Sequence, residues 1–65
     1  MVWFMIGSAT EERMQAMLDW AELLDGLKEI TTYEDDPLMA VLGFETQEQA
    51  QTAQWLLEVN GAEGR

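Results

Sequence analysis

Apolar and polar positions along this chain change period four times, and each change marks an element. Val2-Trp3-Phe4-Met5-Ile6 is a continuous apolar run of β-branched and aromatic residues that Gly7 ends. A run without polar alternation predicts a strand covered on both faces or lying at an interface. Apolar residues then recur at helical spacing: Met14, Met17, Leu18, Ala21 and Leu24. Ser8-Ala9-Thr10-Glu11 precedes them as a capping box, in which Ser8 accepts from the Glu11 amide and the Glu11 carboxylate reaches back. Gly26 is well placed as the C-terminal stop, so the spacing predicts a helix over residues 9–25.

The second half follows the same logic. Residues 28–34 are β-prone but polar, which fits an edge strand exposed to water. Asp35-Asp36-Pro37 is a turn signal, because Asp caps turns and Pro presets φ. Residues 38–44 are apolar throughout and predict an inner strand, paired with the previous one as a hairpin. Thr46-Gln47-Glu48-Gln49 is a second capping box that opens a helix running to about Asn60, where Gly61 stops it. Residues 62–65 are too few for a further strand.

The order strand, helix, strand, strand, helix predicts one compact α+β domain over residues 1–65. It resembles the ferredoxin-like βαββαβ fold with its final strand missing. The right-handed crossover rule places strand 38–44 beside the first and parallel to it, with strand 28–34 outside. The sheet is then three-stranded, in order 1-3-2, with both helices on one face. That leaves the far edge of the first strand bare, and an unprotected apolar edge is an aggregation hazard. Homodimerisation through strand 2–6 is the simple cover; a C-terminal tail or a partner protein are the alternatives.

Composition narrows the chemistry. The 65 residues are 48% hydrophobic, with three Trp, one Tyr, two Phe and five Met, well above the disordered range. A domain of this size buries only about 60% of its unfolded surface. The chain has no cysteine, so no disulfide, thiolate metal site or thiol chemistry. It has no histidine, the usual general base and commonest metal ligand. Asp35 and Asp36 lack the spacing of a calcium loop, and no glycine-rich phosphate loop is present. The expectation is a protein without catalytic residues, metal or cofactor. The longest apolar run is too short for a membrane span or signal peptide, which makes the cytoplasm the default location. The methionines read as gap-filling core side chains.

Charge changes the picture most. There are 13 acidic residues against three basic ones, a formal net charge of −10. Self-repulsion of that size opposes the compact state, so a field this negative points to a partner with a positive surface. Three cations cannot offset it, which argues against direct binding of nucleic acid. On a helical wheel Met14, Met17, Ala21 and Leu24 share one face, while Glu12, Gln15, Asp19 and Glu22 line the opposite side, flanked by Glu11. An ordinary solvated helix interleaves lysines four residues beyond its glutamates; here only Arg13 is available. Glu34, Asp35 and Asp36 form a second acidic group at the hairpin tip. On the second helix Ala50, Ala53, Leu56 and Leu57 make the inward face. Trp55 projects away from it, beside Thr52, Val59 and Glu48, as an interface aromatic would.

Small size, a strongly acidic surface and this element order are similar to those of the small acidic anti-CRISPR proteins of phages and mobile elements. The resemblance implies a DNA mimic that fills the positive channel of a nucleic-acid-binding protein, such as a CRISPR effector subunit, inside a bacterial host. From the wheel and the turn, the partner-binding positions are Glu11, Glu12, Asp19, Glu22, Glu34, Asp35 and Asp36, with Trp55 as a hydrophobic anchor. The competing reading is a small homodimeric adaptor that binds through the first-strand edge and the Trp55 face. Its acidity would serve solubility only.

Overall fold

The computed structural model describes residues 1–59 and a short strand at Glu63–Gly64. The elements in chain order are β1 (Val2–Gly7), α1 (Glu11–Ala21), β2 (Leu27–Tyr33), β3 (Asp36–Phe44), α2 (Gln47–Val59) and β4 (Glu63–Gly64). The three long strands lie in the order 1-3-2 expected of a ferredoxin-like α+β layout, and β4 extends the sheet to β2-β3-β1-β4.

Two expectations about the sheet are corrected. β1 pairs with β3 antiparallel, from Val2↔Phe44 to Gly7↔Met39, and not parallel. The crossover rule governs the two strands that a helix joins, here β1 and β2. Both run antiparallel to β3, so they are parallel to one another with β3 inserted between them. The second correction concerns the chain end. Glu63 and Gly64 pair with Gly7 and Ile6, so two residues suffice for a fourth strand and part of the β1 edge is covered. The expected stop at Gly61 lies outside the described residues.

Alternation along the strands sets the core. Val2, Phe4 and Ile6 of β1 face the helices together with Ala40, Leu42 and Phe44 of β3. There they meet Met14, Met17 and Ala21 of α1 and Ala50, Ala53 and Leu57 of α2. The alanines let helix backbones approach the sheet, and the Phe4 and Phe44 rings stack with centroids 5.6 Å apart. The opposite face of β1 is open: Trp3 is 45% and Met5 37% exposed. Among the described residues the apolar run is therefore covered on one face, and of the two expectations, cover on both faces is not met while a place at an interface stays open.

The helix ends depart from the sequence reading by a few residues. Thr10, not Ser8, caps α1, and its hydroxyl accepts from the Arg13 amide at 3.1 Å. Ser8 is buried and spends its hydroxyl locally, donating to the Thr10 carbonyl at 2.8 Å. Regular helix ends at Ala21 and not at residue 25. Past it, the Leu23 and Leu24 amides donate to the Trp20 and Ala21 carbonyls, tightening the last turn before Gly26, whose φ is +85°. The second capping box forms as expected: Gln49 N–H donates to Thr46 Oγ1 at 3.2 Å and Thr46 N–H to Gln49 Oε1 at 3.3 Å. The hairpin turns at Glu34 and Asp35, and Asp36-Pro37 already belong to β3. Proline is tolerated there because the start of a strand can do without its N–H.

Candidate acidic binding surface

Helix α1 and the β2–β3 hairpin carry the two acidic groups. The apolar side of α1 is fixed on the sheet by Met14, Met17 and Ala21, which turns Glu11, Glu12, Gln15, Asp19 and Glu22 into solvent. Along the axis Asp19 and Glu22 lie roughly 10 and 15 Å beyond Glu12. Gln15 steadies the middle of this ridge by donating from Nε2 to Asp19 Oδ1 at 2.9 Å. At the hairpin tip Glu34, Asp35 and Asp36 are all exposed.

The fold brings the two groups together. Glu11 and Glu12, in the first turn of α1, share a groove of about 510 Å³ with Glu34, and Tyr33, Thr32, Leu18, Met14, Gln15 and Pro37 complete its walls. The reason is topological: β3 returns beside β1, so the tip of its hairpin with β2 lies at the end of the sheet where the chain leaves β1 for α1. The tie is direct, because the Ser8 amide donates to the Leu38 carbonyl at 2.9 Å. Asp35 and Asp36 continue the tip beyond the groove wall, and Asp19 and Glu22 continue the ridge away from it.

Electrostatically the surface has little internal relief. Among the described residues the single ion pair is Lys28–Glu45, exposed on both sides at 3.5 Å and made with a carboxylate of neither acidic group. Glu11 and Glu12 sit where the helix dipole favours a carboxylate. Asp19 and Glu22 do not: they occupy the last turn and the C-cap, with no basic residue there. Among the described residues no three carboxylates converge in a way that could hold a metal ion.

Trp55 stands apart from this groove. It is 62% exposed on α2, next to Val59 at 64%, as the wheel required. Near it a second groove of about 380 Å³ runs between the end of α1 and α2, lined by Leu23, Leu24, Ala53 and Leu56 together with Asp25, Glu48, Gln49 and Thr52. Trp20 is partly buried against the core, whereas Trp3 lies on the open sheet face. Sequence reasoning passed over Tyr33 as a groove residue and Leu23, 80% exposed, as a surface one. Tyr33 carried a signal in its place beside the acidic turn. Leu23 carried one on the wheel, where 100° per residue sets it on the Glu12 and Asp19 side, away from Met14, Met17 and Ala21.

No protein-family model, curated protein or solved structure matches this chain.

Proposed function

We propose that this chain is a non-enzymatic protein ligand and DNA mimic. It seats the carboxylates of α1 and the hairpin tip on a basic surface of a nucleic-acid-binding protein and so competes with nucleic acid. The observation that carries this reading is the convergence of Glu11, Glu12 and Glu34 on one groove, with Asp19 and Glu22 extending the same ridge without interleaved cations. Carboxylates at ~5–10 Å intervals form a continuous line of negative charge, sparser than the one charge per ~1.7 Å of duplex axis but of the same sign along its whole length. Solubility would be served equally well by acids at helix N-termini, where the dipole favours them. Asp19 and Glu22 are placed at the disfavoured end. A CRISPR effector subunit in a bacterial cytoplasm is the partner that the resemblance to small acidic inhibitors implies.

The test is competition. Tagged protein is used to recover partners from bacterial lysate, and the recovered protein is assayed for nucleic-acid binding with this chain as competitor. Competition that weakens as salt rises, and that is lost in E12K/D19K/E22K/E34K but kept in W55A, supports the mimic. Partners that resist salt and are lost in W55A instead would replace it with the adaptor reading. That second reading draws support from Trp55, Val59 and Leu23, three large apolar side chains more than half exposed on the helical side of the molecule.

A further inference from the structure

Among the described residues nothing covers the face of the sheet turned away from the helices. Its rows are Trp3 and Met5 of β1 with Met1 just before it, Met39, Val41 and Gly43 of β3, and Glu29 and Thr31 of β2. Met1, Trp3 and Met5 are 63%, 45% and 37% exposed, and Met39 and Val41 are half-buried. The Trp3 ring and the Met1 sulfur lie over Gly43, so close that a Cβ there would meet each at 2.8 Å. Glycine thus lets the tryptophan lie low across the neighbouring strand. The result is an apolar patch on β1 and β3, flanked by Glu29 of β2 and by Glu63 of β4, which is in register with Gly7.

We propose that this face docks a second copy of the same chain, sheet against sheet. Area and charge together select that occupant. With Cα extents of 28 × 23 × 20 Å, a broad face offers on the order of 500 Å² per copy, and a stacked pair buries about 1,000 Å², the threshold for a specific interface. A net charge of −10 on each copy opposes self-association through any helical face, where the carboxylates would meet. Stacked by their sheets, two copies keep their helices outermost. Layers about 10 Å apart put the acidic ridges roughly 30 Å from one another, several times the ~8 Å Debye length at physiological ionic strength. A strongly basic partner is drawn to the ridge instead, so the two surfaces are used independently. The docking proposed here does not rest on the DNA-mimic reading.

Sedimentation equilibrium from about 1 to 500 µM tests this. The expected result is a monomer–dimer equilibrium between 7.4 kDa and twice that mass, no weaker at about 0.5 M NaCl than at 0.15 M, because salt screens the like charges. V41K and W3K, checked for fold by circular dichroism, each raise the dissociation constant about tenfold or more. Val41 lies on the central β3, away from the β1 edge, so its variant separates the two interfaces and also decides the matter if W3K fails to fold. A wild-type chain that stays monomeric throughout overturns the proposal. So does a dimer that V41K leaves unchanged, which would place the contact at the β1 edge.

Discussion

Gly26→Ala tests the joint between the end of α1 and the start of α2. Gly26 has φ +85°, a left-handed backbone that an alanine adopts at a cost of ~1–2 kcal/mol. A Cβ there would also sit 2.0 Å from Gln49 Oε1 and 2.3 Å from Gln49 Cδ, so the amide has to leave. When it leaves, the Thr46 N–H loses its acceptor and half of the α2 capping box is gone, which costs about 1 kcal/mol. The alanine restricts the unfolded chain and returns about 0.4–1 kcal/mol. The net loss is roughly 2 kcal/mol, a large share of the ~3–5 kcal/mol a domain of this size commands. It should lower Tm by roughly 8–15 °C. Thermal and urea unfolding of G26A, Q49A and the double variant form the cycle. Without the Gln49 side chain the collision disappears, so G26A should cost only ~1 kcal/mol in the Q49A background. An equal loss in both backgrounds refutes the collision; no loss in either refutes the left-handed conformation.

Other outcomes follow from the same geometry. Leu42→Ala removes a side chain with no exposed surface at the centre of the core and should cost about 3 kcal/mol; urea denaturation should find the variant close to unfolded at 37 °C, and a loss under 1 kcal/mol would contradict the packing. Glu22→Lys places a cation at the C-cap of α1, which has no basic residue in its last turn. It should stabilise the fold by ~0.5–1 kcal/mol at low salt, with the gain shrinking as salt rises, while weakening any partner bound through the ridge. The wild-type chain itself should gain stability in urea between about 0.05 and 0.5 M NaCl, because salt screens the self-repulsion of its ten net charges; a flat response would mean the acids are too dispersed to repel.

The fold was legible where sequence signals were local. Both helices announced themselves by apolar spacing, and Thr46 with Gln49 formed the capping box their types required. The first cap was ambiguous because Ser8 and Thr10 are both cap formers two residues apart, and burial of Ser8 beside Leu38 decided for Thr10. Strand direction was not local. That β3 opposes β1 follows only once β2 is known to be the strand that α1 joins in parallel to β1, with β3 between them. Nor could a two-residue β4 be read from Glu63-Gly64, since its only support is the edge of Ile6 and Gly7 across the molecule.

The site shows the same division, and it bears on what the acids do. The wheel put every ridge carboxylate in solvent, but only topology joins the ridge to the hairpin tip around Tyr33. The same topology leaves the outward rows of β1 and β3 without an acid, with Glu29 of β2 and Glu63 of β4 to either side. Acids spread for solubility would be expected on both faces, above all beside an exposed Trp3 and Met5 that invite association. Here the exposed apolar sheet face goes largely without them, and the helix that already opposes two of its own carboxylates carries more. Segregation of this kind costs local stability and leaves the open sheet unprotected, so it is better explained by two surfaces with different occupants than by one requirement for a charged coat.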